Sequence, residues 1–207
     1  MRSEQLGPYT LNQPDGVFPI GSDSLALSRF ATLRRGWQVC DLGCGSGVLM
    51  LLLAEREEHL TLTGVELDPL SARAARDNLE QNGLDGQVLC ADLRTTPLPA
   101  GHFDLVISNP PYFAVGSGKS GGRARSEACC TLDQLCTAAA RLVKNGGRFA
   151  LCHRPERLCD VLCSLRAHGL EPKRLQLVAH APQLPPSLVL VEAVRQGRPG
   201  LEVLPCV

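Results

Sequence analysis

The run Val39-Cys40-Asp41-Leu42-Gly43-Cys44-Gly45-Ser46-Gly47 passes directly into Val48-Leu49-Met50-Leu51-Leu52-Leu53, and few folds can accommodate it. The first residues read as a buried strand and the last as a helix, with three alternate glycines at the turn between them. Glycines in such a turn permit positive φ and let the backbone approach a ligand closely. The spacing is not Gly-x-Gly-x-x-Gly, because position 48 is Val, and no lysine follows the glycines as a phosphate-binding loop requires. Asp41, just before the glycines, would repel a pyrophosphate and attract an ammonium. The turn therefore suits a zwitterionic or cationic ligand better than a polyanionic one.

Strand and helix patterns alternate from there onward. Thr61 to Glu66 reads as a second strand ending in an acid, about 20 residues past the glycines, where a ribose diol is typically held. Gln87 to Asp92 reads as a third strand, its terminal acid placed to meet an adenine edge. Helices are expected over Pro69 to Gln81, Leu132 to Val143 and Arg154 to His168, and further strands over Phe103 to Ser108 and Arg148 to His153. Two last strands, Arg174 to Ala179 and Leu188 to Val194, are joined by a short proline-rich segment with no room for a helix, which makes them antiparallel. The pattern predicts an α/β fold with a doubly wound sheet, mostly parallel, ending in an antiparallel hairpin.

The strand Phe103 to Ser108 leads into Asn109-Pro110-Pro111-Tyr112. An amide, two rigid prolines and an aromatic at the end of a core strand have no packing purpose. They suit the capture of a planar NH2 group. The asparagine oxygen and a proline carbonyl can accept both hydrogens, while the tyrosine, with Phe113, stacks on the attached ring.

Together, the segment Asp41 to Gly47, Glu66, Asp92 and the Asn-Pro-Pro-Tyr string resemble the class I S-adenosylmethionine-dependent methyltransferases that act on amino groups. The chain is similar, more closely, to the bacterial family that methylates the N6 of an adenine beside the anticodon of a valine tRNA. That narrower likeness rests on Gln13 to Gly16, Ile20 to Leu27, Arg123 to Glu127 and His153 to Leu158. The resemblance implies a Rossmann-like, seven-stranded sheet of order 3-2-1-4-5-7-6. It implies S-adenosyl-L-methionine as cofactor, held by Asp23, Asp41, Gly43, Gly45, Gly47, Glu66, Leu67, Asp92, Leu93 and Asn109. Asn109, Pro110, Pro111 and Tyr112 become the catalytic set, and RNA, most specifically tRNA, the partner. The same four-residue string also occurs in enzymes that methylate a glutamine amide of translation release factors. Those bring an N-terminal helical domain, whereas only about 36 residues precede the first strand here. DNA adenine methylation is a third option, although no target-recognition domain is expected, and a catalytically silent, cofactor-binding RNA-interaction protein is a further alternative.

With 207 residues the chain is expected to be a single domain, 1–207, with an N-terminal segment over 1–36, and a monomer or weak dimer. No apolar run approaches the ~20 residues that span a bilayer, and the N-terminus lacks a signal-peptide core, so a cytoplasmic protein is expected. Ten cysteines raise the question of metal. Cys159 and Cys163 could share a helix face, but no second pair with ligand spacing completes a tetrahedral site, so free, buried thiols and no metal are expected. Residues 113–128 are glycine-rich and cationic, which predicts a mobile substrate lid in which Lys119, Arg123 and Arg125 grip phosphates. Net charge is zero, so any nucleic-acid surface must be a local patch; Arg29, Arg34 and Arg35 are further candidates for it.

Overall fold

A computed structural model describes residues 1–17, 20–110, 130–181 and 183–207. An N-terminal hairpin, β1 (Arg2–Leu6) and β2 (Tyr9–Gln13), is followed by α1 (Ser22–Phe30). Then come β3 (Gln38–Leu42), α2 (Val48–Arg56), β4 (Thr61–Glu66), α3 (Pro69–Gln81), β5 (Gly86–Cys90) and β6 (Phe103–Ser108). The remainder comprises α4 (Leu132–Leu142), β7 (Val143–His153), a 3-10 turn (Pro155–Arg157), α5 (Leu158–Ala167), β8 (Leu170–Val178), β9 (Leu188–Arg195) and β10 (Glu202–Val203).

The large sheet runs β10-β8-β9-β7-β6-β3-β4-β5. Every pairing in it is parallel except β7 with β9 and β8 with β9. The expected order is present, with one correction: an eighth strand, β10, extends the sheet beside β8. The central strands β3 and β6 are apolar along most of their length because helices cover both faces of a parallel sheet. One face packs Leu27, Phe30, Met50, Leu51 and Leu53 of α1 and α2 against Val39, Leu105 and Ile107. The other packs Leu135, Ala139, Val161 and Leu165 of α4 and α5 against Cys40, Val106 and Phe149.

Helix boundaries follow local chemistry. Asp68 accepts a bond from the Ser71 amide at 2.9 Å, and Pro69 fills the first helical position of α3, where a missing N–H costs nothing. Thr131 and Gln134 form a reciprocal capping box at the start of α4. The predicted strand through Asp92 stops at Cys90, since Asp92 turns back to bond Arg94. β7 starts five residues earlier than Arg148, at Val143. Among the described residues Cys40, Cys44, Cys136 and Cys152 are buried as expected, whereas Cys90, Cys159, Cys163 and Cys206 are exposed, which corrects the expectation of buried thiols for those four. No helix of the described residues is long and apolar enough to cross a membrane.

Two features absent from the sequence reading hold the N-terminal 36 residues in place. α1 is fixed at its C-terminal end, where Arg56 donates to the carbonyls of Ser28 and Ala31, and Arg174 donates to that of Phe30. Just beyond, the fully buried Glu192 carboxylate accepts from Thr32 N (2.7 Å), Thr32 Oγ1 (2.8 Å) and Arg148 (2.7 Å). A buried charge with this many donors is tolerated, and removing one side of it would be costly.

The N-terminal hairpin docks through amides. Asn78 of α3 accepts from Asn12 N at 2.9 Å and donates to the carbonyls of Asn12 and Ser46, both at 2.9 Å. Asn82 and Gln81 serve Thr10 in the same manner, and Gln13 donates to Ser46 Oγ at 2.9 Å. The hairpin thereby braces the glycine turn from behind. Replacing the buried Asn78 with Ala strands the Asn12 amide and the Ser46 carbonyl. The expected loss is about 2–4 kcal/mol of unfolding free energy by urea titration, with faster hydrogen exchange over residues 1–13.

Candidate active site at the switch point of the sheet

The chain leaves β3 toward β4 on one side and returns to β6 on the other, so a crevice opens beyond the C-terminal ends of β3 and β6. Nearly every described residue predicted for the site lies at this end of the sheet. Gly43, Gly45 and Gly47 adopt φ of 78°, 55° and 87°, in the left-handed region that side chains resist. Gly64, on the neighbouring strand, is needed for a different reason. A Cβ there would lie 2.7 Å from Cys44 Sγ, so the turn packs directly on bare backbone.

Asp41 is completely buried at the end of β3, and neither of its oxygens has a hydrogen-bond partner among the described residues. Burial pushes its pKa up to about 8, with the Glu66 charge adding to the effect. A carboxylate in this position calls for a donor that the described residues around it do not supply.

Glu66 closes β4 as predicted. Its Oε2 accepts from Gly45 N at 2.9 Å and its Oε1 from Asp68 N at 2.8 Å. Each oxygen keeps a second acceptor direction, so the side chain can brace the glycine turn and still receive hydroxyl groups. Leu67, next in sequence, is half exposed at the rim. Asp92 differs from expectation in its surroundings. Arg94 binds both of its oxygens, through a backbone amide at 2.9 Å and through the guanidinium, and that bonding holds its pKa below the usual carboxylate range. Any ligand that Asp92 receives must share it with Arg94.

Asn109 and Pro110 follow β6 directly, next to the strand that carries Asp41. A small cleft brings Gly43, Leu93 and Pro110 together, lined also by Ser108, Thr131 and His153. The Asn109 amide nitrogen donates to Ser24 Oγ at 3.0 Å, and Cys152 Sγ donates to its oxygen at 3.2 Å. Neither Ser24 nor Cys152 was singled out by sequence, although Ser24 follows the predicted Asp23, which sits in the first turn of α1. Pro111, Tyr112, Phe113, Lys119, Arg123 and Arg125, with the predicted lid over 113–128, lie outside the described residues. Arg34 and Arg35 are placed away from the crevice. They precede β3 at the opposite end of the sheet, with Arg34 over the Trp37 ring and Arg35 3.9 Å from Glu58.

The donors and acceptors fit S-adenosylmethionine: an unmatched buried carboxylate for an ammonium, a close-packed glycine turn, and a strand-end glutamate for hydroxyls. Among the described residues no three His, Cys, Asp or Glu side chains converge as metal ligands.

Asp41 also predicts how stability varies with pH. Above the ordinary carboxylate range the unfolded chain releases the Asp41 proton, while the folded chain keeps it up to about 8. Its contribution should therefore lower stability as pH rises through that window and level off above it. Urea midpoints measured between about pH 5 and about pH 8 should show this slope, and Asp41→Asn should remove it.

Comparison with known proteins agrees with the geometry. The family model described as "Methyltransferase small domain" matches residues 9–161. A tRNA1(Val) (adenine(37)-N6)-methyltransferase of Haemophilus influenzae is 32% identical over 148 residues, covering 67% of this chain and 62% of that protein. Its counterpart of the same name from Cronobacter sakazakii is 35% identical, covering 64% and 57%. One from Porphyromonas gingivalis is 27% identical, covering 89% and 77%. The chain thus spans less than two thirds of the length of the first two relatives. Among solved structures, a predicted O-methyltransferase from Agrobacterium tumefaciens superposes with a TM-score of 0.73 at 23% identity, covering 89% of this chain and 86% of the other. A SAM-dependent methyltransferase from Aquifex aeolicus gives 0.64 at 16% identity, covering 84% and 89%. These two likenesses concern the fold alone. The family match covers most of the chain and includes the glycine turn, the strand-end acids and Asn109: this protein belongs to the methyltransferase small domain family.

Proposed function

We propose that the chain is an S-adenosylmethionine-dependent methyltransferase acting on an exocyclic amino group, specifically adenine N6 in tRNA. The observation that carries this reading is the placement of Asn109 and Pro110 beside the glycine turn and beside Asp41, which has no hydrogen-bond partner among the described residues, at the switch point of the sheet. The names of the relatives from H. influenzae and C. sakazakii support the choice of substrate.

When bound, S-adenosylmethionine supplies a methyl group on a sulfonium, electrophilic enough for a weak nitrogen nucleophile. Asp41 and Asp23 serve the amino-acid end of the cofactor, and Gly43, Gly45 and Gly47 provide close backbone. Glu66 and Leu67 receive the ribose, and Asp92 and Leu93 the adenine. At the substrate side, the N6 lone pair of adenine is delocalised into the ring. The Asn109 oxygen and the Pro110 carbonyl accept both of its hydrogens, drawing the nitrogen toward tetrahedral geometry and orienting the lone pair for in-line attack. By the sequence reading, Pro111 stiffens this turn, Tyr112 and Phe113 hold the extruded base, and Lys119, Arg123 and Arg125 take phosphates.

Asp41 must be ionised to hold an ammonium. Calorimetric affinity for S-adenosylmethionine should therefore strengthen as pH is raised from about 6 to about 8, and Asp41→Asn should weaken binding and flatten that dependence.

The function is tested by methyl transfer from labelled S-adenosylmethionine to separate pools of bulk tRNA, DNA and release factor. Label is expected in tRNA, recovered as N6-methyladenosine, with Asn109→Ala lowering kcat by about a hundredfold or more. Label in the protein pool instead would make a glutamine amide the substrate. Normal turnover by Asn109→Ala would remove that residue from the mechanism.

A further inference from the structure

We propose that Ser24 and Cys152 are positioning residues for Asn109, fixing its side-chain amide so that the oxygen, and not the NH2, is presented to an incoming amine. The proposal rests on the amino-methyltransferase reading above. An asparagine amide is nearly symmetric in shape, and rotation about its last torsion exchanges an acceptor for a donor. Only one of the two orientations can receive the hydrogens of a substrate amine. A residue given this task needs something to hold it.

Two groups from different elements do so. Ser24, in the first turn of α1, offers its hydroxyl oxygen to Asn109 Nδ2 at 3.0 Å. Cys152, near the end of β7, donates its thiol to Asn109 Oδ1 at 3.2 Å. Ser24 is buried and Cys152 has no exposure at all. The pairing discriminates because a hydroxyl can accept, whereas a thiol serves better as a donor than as an acceptor of N–H. A carbonyl oxygen has two lone pairs, so a bond from the thiol is compatible with one from a substrate amine. Donation from the amide nitrogen to Ser24 also polarises the amide and strengthens its oxygen as an acceptor. The thiol, a weak donor, marks the orientation while competing little for the oxygen.

The anchoring of α1 makes sense in the same terms. Arg56 and Arg174 hold its C-terminal carbonyls, and Thr32 just beyond is held by Glu192. A helix held at that end carries Ser24 to a fixed place beside β6. The N-terminal segment, on this view, contributes to the substrate side of the reaction as well as to cofactor binding.

The test compares Ser24→Ala, Ser24→Thr, Cys152→Ala and Asn109→Ala in the full chain. Methyl transfer to bulk tRNA, calorimetric affinity for S-adenosylmethionine, melting temperature and the 15N side-chain amide signals of Asn109 are measured for each. Those signals are assigned by their disappearance in Asn109→Ala. Ser24→Ala should lower kcat by roughly tenfold and Cys152→Ala by roughly threefold, with cofactor affinity within about twofold of the parent. Both should shift the Asn109 amide signals, and Ser24→Thr, which keeps the hydroxyl, should restore both rate and signals. Parental kcat and unmoved signals in Ser24→Ala and Cys152→Ala would overturn the positioning role while leaving Asn109 catalytic. Unimpaired Asn109→Ala would overturn the reading beneath it. If none of the RNA is a substrate, the amide signals decide alone. If Ser24→Ala does not fold, Cys152→Ala decides, and unchanged signals there overturn the proposal.

Discussion

Adjacent parallel strands whose chains leave in opposite directions cannot close their own ends. β3 and β6 are such a pair, and the crevice beyond them is a geometric necessity of the strand order. The residues around it are arranged to manage what that opening exposes. The glycine turn lets α2 start immediately beyond β3, and Glu66 binds the turn to the end of the neighbouring strand. Asp41 lies beneath, buried without a donor among the described residues. The α1 helix and the N-terminal hairpin then support this floor from outside the sheet, one through arginine caps and the other through amides.

The central sheet was legible because its signals are local. Thr61 to Glu66 and Phe103 to Ser108 are strands over the predicted residues, and Pro69 to Gln81 is the predicted helix, since apolar runs, a proline start and an Asn-Gly stop all act within a few residues. Gln87 to Asp92 reads as one strand, yet the strand ends at Cys90 and Asp92 accepts from Arg94, two residues on, in the turn that follows. The N-terminal hairpin escaped notice for a different reason. Its strands carry little apolar alternation, and their partners are side-chain amides of α3, some 66 to 72 residues away.

The candidate site divides along the same line. Asp41, the glycines, Glu66 and Asn109 stand in short motifs whose spacing is itself informative. Ser24 and Cys152 meet Asn109 across 85 and 43 residues; Ser24 lies within the Ile20 to Leu27 string and Cys152 just outside the His153 to Leu158 one, and neither string by itself points at Asn109. Serine in a first helical turn and cysteine in a core strand each have an ordinary structural explanation, so only their convergence on one amide distinguishes them. The basic residues illustrate the opposite error. Arg34 and Arg35 appear close to the glycine turn along the chain, but the intervening strand carries them to the far end of the sheet.

Glu66 holds the Gly45 and Asp68 amides with its two oxygens, at the end of β4 where a ribose would be received. A single carboxylate thus serves as scaffold and as prospective ligand group. A replacement at this position must preserve a loop as well as a contact. Shortening the side chain to Asp would slacken the link between two crossovers before it altered any hydroxyl. Genetic suppressors of a damaged Glu66 should accordingly arise within the turn or around Asp68, where the lost tether can be replaced, sooner than among residues that touch the sugar.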